Sequence, residues 1–205
     1  MTSSSERYSL SFTSGALLVR EGVVATELYL GRRDWARVRD QLRSGNLLQT
    51  RTEASSTRLS REVVQRVSEL DEAELALLID GSSLERGHIM WVAACRRYSF
   101  IGEFAEQVVR ERFLLMVPTL GYEEFDSFVR EKSLWHPELL ELQESTLKEL
   151  RKTVFRMLVE ADILINNEII PVTLTDRTRL VLDAKVPSDI RFFPTLESKV
   201  QSYDD

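Results

Sequence analysis

The stretch RTEASSTRLSREVVQR, Arg51–Arg66, decides how this chain is read, because its periodicity predicts a helix with one apolar face and one arginine face. With Arg58 placed at zero, Leu59, Val63, Val64, Val67 and Leu70 fall between about 100 and 240 degrees around the helix axis. Arg58, Arg61 and Gln65 fall on the opposite side, within about 60 degrees of one another. The apolar face can be buried while the guanidinium groups stay in water. Ser55, Ser56 and Thr57 offer an N-cap and free hydroxyls near the helix start. A helix N-terminus with hydroxyls and arginines suits a phosphate group. The plainer alternative is an ordinary solvated helix face.

The distribution of charge separates these two readings better than its total. The chain of 205 residues carries a net charge of −6, which argues against a generic nucleic-acid binder. Residues 1–66 hold 11 basic against 7 acidic residues, and every basic one is arginine. Residues 67–147 hold 7 against 16, a net of −9. Arginine pairs with phosphate in bidentate fashion, and local sign decides what a surface attracts. The acidic middle is expected to be a solvated face, with docking of a basic partner protein as its functional alternative.

Hydrophobic content of 43% and charged content of 29% describe an ordinary globular chain, long enough to bury a core. The single Cys95 excludes an internal disulfide and fits a reducing cytosol. The first residues, MTSSSERYS, lack the features of a signal peptide, and no apolar run is long enough for a bilayer. A cytoplasmic protein without membrane contact is expected. With no heptad run, a monomer is expected too.

Along the chain, residues 1–11 read as polar and loose. Thr13 is a candidate N-cap, with Phe12 and Leu17 spaced as a hydrophobic staple, for a helix reaching Leu30, bent at Gly22 and ended by Gly31. Asp34 caps a second helix with Trp35, Val38 and Leu42 inward. Leu47–Ala54 reads as a short extended piece. Asp71-x-x-Glu74 and Ser82-x-x-Glu85 are capping boxes that start helices near 72–79 and 83–98. Further helices follow over 99–116, stopped by Pro118, and over 123–132. Trp91, Phe100, Phe104 and Phe113 are core material.

Pro137 opens a short helix over about 137–143, and Thr146-x-x-Glu149 starts another over about 147–163, a spacing that suits a helix-turn-helix. Lys148, Lys152 and Arg156 lie at i, i+4 and i+8, away from the apolar face of that second helix. Glu168–Leu174, interrupted by Pro171, reads as an edge strand, and 175–184 fits either a helix or a returning strand. The fold class is therefore mainly α: a multi-helix bundle whose C-terminal part is helix-turn-helix or winged-helix-like, with at most a small β-hairpin. The implied organisation is a helical domain over 1–121, a winged-helix-like domain over 122–194 and a tail over 195–205.

Catalytic chemistry is not indicated. His88 and His136 lie in no metal-ligand pattern, and Cys95 has no partner cysteine at ligand spacing. His88 is expected on a helix surface and His136 at a helix start. No phosphate loop, dinucleotide fingerprint or nucleophile elbow is present. No cofactor, no metal and no enzymatic activity are expected.

A set of residues in fixed order carries a resemblance. It comprises Tyr8 with Phe12-Thr13-Ser14-Gly15-Ala16-Leu17, then Asn46, Thr50-Arg51-Thr52 and Ser56-Thr57-Arg58-Leu59-Ser60-Arg61-Glu62. It continues with Trp91, Cys95-Arg96-Arg97-Tyr98, Glu103-Phe104, Ser145-Thr146 with Lys148, and Leu158-Val159-Glu160-Ala161. The chain resembles the BrxA family, the small conserved component of BREX bacteriophage-defence systems, from about residue 8 to Pro194. The resemblance implies a mainly helical, non-enzymatic, cytoplasmic protein that binds double-stranded DNA. A likeness of that family to the RNA-binding factor NusB keeps RNA as a lesser alternative. The family lends no base-reading motif, so the candidate DNA-binding residues come from the helix faces: Arg51, Ser56, Thr57, Arg58, Arg61, Gln65, Lys148 and Lys152. The other reading is a protein-interaction adaptor that docks on other BREX proteins.

Overall fold

The computed structural model describes residues 7–12 and 15–196. The expected cap at Thr13 and most of the 195–205 tail lie outside the described residues. Helices α1 (Val19–Arg32), α2 (Trp35–Ser44), α3 (Glu53–Val67), α4 (Glu72–Asp80) and α5 (Ser83–Arg97) form the first half. Helix α6 (Ser99–Phe104) runs through a π-helical turn, Ala105–Arg110, into α7 (Glu111–Leu114). Then come α8 (Tyr122–Lys132), α9 (Glu144–Glu160), a hairpin of β1 (Leu164–Ile165) and β2 (Glu168–Ile169), and α10 (Asp176–Asp183).

Helix α5 is the axis of the fold. Every residue from Gly87 to Cys95 is buried, including His88, and α1, α3, α4, α6, α9 and α10 all pack against it. A helix apolar on all sides has to be enclosed. Its start is fixed as expected: Ser82 accepts from the Glu85 backbone N–H, and Glu85 accepts in return from Ser82. Asp71 and Glu74 do the same for α4. A Cβ at Gly22 would come within 2.7 Å of Met90 Sδ, so the glycine lets α1 approach α5.

One buried cluster runs from Tyr8 to Phe193 and draws on both sides of position 121. The segment before α1 is packed rather than loose where it is described, because Tyr8 stacks on His136 at 3.7 Å and Phe12 is enclosed against Tyr98. The Tyr8 backbone N–H donates to Glu138 Oε1 at 2.7 Å. Helix α1 starts later than expected, after Leu18 in left-handed backbone, and ends at Arg32 rather than at Gly31.

The C-terminal half departs from its sequence reading in three places. Pro137 opens only a 3-10 turn, Pro137–Leu139, so the first helix expected for the helix-turn-helix is absent. Helix α9 begins at Glu144, ahead of Thr146, which places a carboxylate in the positive first turn. The β ladder is confined to Leu164 opposite Ile169 and Ile165 opposite Glu168, joined by Asn166 and Asn167, both in left-handed backbone. Segment 175–184 is helix α10, capped by Thr175, which accepts from the Thr178 N–H. The strand pair that would give 122–194 a wing from 168–174 and 175–184 is thus not formed; the hairpin follows α9 directly.

His88 is not on a helix surface. Phe193 meets it edge to face at 5.3 Å between ring centroids, and among the described residues its Nε2 has no hydrogen-bond partner. Burial holds its pKa down at about 4, against the opposing fields of Asp162 and Glu85. The folded chain keeps this ring neutral, whereas the unfolded chain takes up a proton near pH 6.5. Stability is therefore complete above that pH and falls as pH drops towards 4, by as much as about 3 kcal/mol. The carboxylates held low, Glu85 and Glu138 among them, lose their contribution only below their own ordinary range. Urea melts at pH 7.0 and 5.0 are expected to show the wild type weaker at pH 5.0, and His88→Leu to lose most of that difference.

Candidate nucleic-acid interface

The start of α3 is set by a local lock rather than by an extended strand. Asn46 Oδ1 accepts from the Thr50 backbone N–H at 2.9 Å and from its hydroxyl at 3.0 Å, and Asn46 Nδ2 donates to the Thr50 carbonyl. This turn replaces the extended piece expected over 47–54, because one amide side chain satisfies both backbone groups of Thr50. Thr52, not Ser55, Ser56 or Thr57, is the N-cap, accepting from the Ser55 N–H at 3.1 Å. Arg51 is held between the lock and the cap. Together with Arg43, Asn46 and Thr52 it lines a notch of about 420 Å³ between the end of α2 and the start of α3.

Thr57, Arg58 and Arg61 are exposed along α3, and Gln65 is half-buried. Arg51, Arg58 and Arg61 make no ion pair among the described residues, and neither does Arg43. Most guanidinium groups elsewhere are engaged: Arg33 with Glu72, Arg37 with Asp34, Arg151 with Asp126 and Arg177 with Asp80. Ser56 is buried, and its hydroxyl donates to the Arg43 carbonyl at 3.4 Å. On the helical wheel it lies at about 160 degrees, within the apolar arc, so its burial follows from its position.

The supporting lysines sit on a different helix. Lys148 pairs with Glu144 at 2.6 Å and Lys152 with Glu149 at 3.0 Å, both at the surface of α9. Helix α3 packs against α1, α2 and α5, whereas α9 packs against α5 and β1. The structure thus gathers Arg51 and Ser56 at one notch, places Arg58 and Arg61 along the same helix, and leaves Lys148 and Lys152 on another element.

Arg66 is the residue the face analysis missed. It has no access to water. Its Nε donates to Glu62 Oε1 at 2.7 Å, and its Nη1 donates to the Ala16 carbonyl. Tyr98, at the end of α5, donates its hydroxyl to Glu62 at 2.7 Å, and burial beside that carboxylate pushes the phenol up to about 12. At about 80 degrees on the wheel, Arg66 borders the apolar arc, with Glu62 one turn before it. That border position is the only signal in the sequence that sets Arg66 apart from its exposed neighbours.

Among the described residues, no group of three or more His, Cys, Asp or Glu side chains could hold a metal ion. No helix there is long and apolar enough to cross a membrane. The class defined by these features is a small, mainly helical protein with a short hairpin and a helix, α3, that presents arginines without an ion pair among the described residues. A family model described as BrxA matches residues 6–186, and the chain belongs to the BrxA family. The BREX protein BrxA of Escherichia coli O9:H4 (strain HS) is 25% identical over 147 residues, 72% of this chain and 69% of the relative. The BREX protein BrxA of Paramagnetospirillum magneticum (strain ATCC 700264 / AMB-1) is 25% identical over 154 residues, 75% of this chain and 77% of the relative. The crystal structure of an uncharacterized protein from Magnetospirillum magneticum has the same fold. It matches with a TM-score of 0.77 at 23% identity, over 90% of this chain and 97% of that one.

Replacing Arg66 with methionine leaves the Glu62 carboxylate buried without its cation, at a cost of about 3–5 kcal/mol. For a domain of this size that lowers the Tm by roughly 10 °C. Thermal melts are expected to show this loss for Arg66→Met and a partial recovery for the double replacement Glu62→Met, Arg66→Met.

Proposed function

We propose that this chain is a non-enzymatic, double-stranded DNA-binding component of a BREX phage-defence system, acting mainly through phosphate contacts. The observation that carries this reading is the set of exposed arginines on and before α3, Arg51, Arg58 and Arg61, with no internal carboxylate partner. A guanidinium without an internal partner breaks no ion pair when it turns to a phosphate. Thr57 adds an exposed hydroxyl on the same helix, and Gln65 an amide. Lys148 and Lys152 stand in weak, solvent-screened intrahelical pairs, so they can exchange a carboxylate for a phosphate. Membership of the BrxA family supports the assignment to BREX. Contacts of this type position a protein on a duplex without reading its bases.

Binding of this kind weakens steeply with salt, because each neutralised phosphate releases condensed counterions. A gel shift of a mixed-sequence duplex at 50 and 200 mM salt is expected to show at least a tenfold loss of affinity at the higher concentration. At low salt, Arg58→Glu with Arg61→Glu is expected to weaken binding at least tenfold, and Lys148→Glu with Lys152→Glu to weaken it less. Unchanged binding by the arginine double variant would remove α3 from the interface. Duplex RNA of the same length is expected to compete less well than the DNA.

A further inference from the structure

A second surface carries the opposite charge. Between α7 with its preceding π-helical turn on one side and α8 on the other lies a groove of about 430 Å³. Its apolar floor is Val108 and Phe128, with Leu115 at its rim. Phe128 packs edge to face on Phe104, ring centroids 5.4 Å apart, so the floor is anchored in the core. Glu111, Glu123 and Glu131 stand around it, all exposed and without an ion pair among the described residues. A fourth carboxylate, Glu124, is already met by Arg112 at 3.4 Å, the one cation lining the groove.

One wall of the groove is a turn that holds apolar side chains in water. Leu115 is 70% exposed and Met116 84%. Met116 has a φ of 59°, left-handed backbone that an unbranched residue adopts only when its surroundings impose it. The surroundings are hydrogen bonds: the Leu115 N–H to the Glu111 carbonyl at 2.9 Å, the Val117 N–H to the Arg112 carbonyl at 2.9 Å, and Arg112 Nε to the Thr119 carbonyl at 2.7 Å. These large apolar side chains are presented on an ordered turn, a feature of protein-binding surfaces.

We infer that this groove docks a basic amphipathic helix of another protein, with its apolar residues on Val108, Leu115 and Phe128 and its lysines or arginines against Glu111, Glu123 and Glu131. Charge sign selects the class of occupant. Three unneutralised carboxylates repel a phosphate backbone, and they attract a cationic side chain that flanks an apolar anchor. A second copy of this chain offers no such helix from α3, whose apolar face is already buried. The surface is separate from the arginine helix, and the inference does not depend on DNA binding.

The probe is a fluorescein-labelled helical peptide with leucines at i, i+3, i+4 and i+7 and lysines at the flanking positions. Fluorescence anisotropy with the full chain is expected to give saturable binding. Glu111→Lys, Glu123→Lys, Glu131→Lys together are expected to weaken it at least tenfold, and Leu115→Ser at least threefold. The control Glu27→Lys, Glu69→Lys, Glu168→Lys changes net charge equally at exposed carboxylates elsewhere, and is expected to stay within twofold of the wild type. Neither triple variant is expected to bind duplex DNA less tightly than the wild type. Equal loss in both triple variants, equal binding of a peptide with the same residues scrambled, or no binding at all would overturn the inference. Self-association through the groove, seen as a dimer by light scattering that the groove variants abolish, would overturn it as well.

Discussion

A guanidinium group sealed from water joins α3, α5 and the strand of chain that enters α1. Arg66 reaches Glu62 on its own helix and the Ala16 carbonyl on the entering segment, while Tyr98 closes Glu62 from α5. Each partner satisfies a group that would otherwise be buried without one, and a buried charge left alone is costly. Meeting these partners together requires α3 to sit at one depth and one rotation against α5. That rotation places Val63 and Val67 inside and Arg58 and Arg61 outside. The cationic face and the buried pair therefore share one helix orientation.

The same logic recurs in two other places in the fold. Arg96, at the end of α5, donates to Glu74 on α4 and to Asp189 beyond α10, and desolvation there is outweighed by the two carboxylates, which hold the guanidinium charged. Trp91 donates its indole N–H to the Phe192 carbonyl at 3.0 Å. Tyr8, Glu103 and Lys132 form a third set that ties the entering segment to α6 and α8. The net charge of the chain is thus a poor guide to its surface, because many of its carboxylates and guanidinium groups are spent on holding elements together. Among the charges left unpaired are two groups of opposite sign, arginines at α3 and carboxylates beside α7 and α8.

Much of the first half was legible from local signals. The capping boxes at Asp71 and Ser82 placed α4 and α5 almost to the residue, because a reciprocal pair of hydrogen bonds needs nothing beyond the residues that make it. Thr146 and Glu149 match the same pattern, yet they lie inside α9, which starts earlier. Leu180, Val181 and Leu182 could not choose between helix and strand by periodicity. Thr175 as cap and Leu182 against the core decided for helix. The cationic reading of Arg58 and Arg61 was legible from the wheel, and the burial of Ser56 was legible from the same wheel but outweighed by its chemistry as a hydroxyl near a helix start.

By itself the sequence determined the helical class, the membership carried by residues in fixed order, and the separation of an aliphatic seam from an arginine face on α3. Each of these depends on residues within a few turns of one another. Only the tertiary structure decided which charges are free. Whether an arginine is solvated, like Arg58, or enclosed, like Arg66 eight residues on, depends on Ala16 and Tyr98, which arrive from distant parts of the chain. It likewise decided that Glu111, Glu123 and Glu131 meet around one apolar floor, since that floor exists only once α6 and α8 have packed through Phe104 and Phe128.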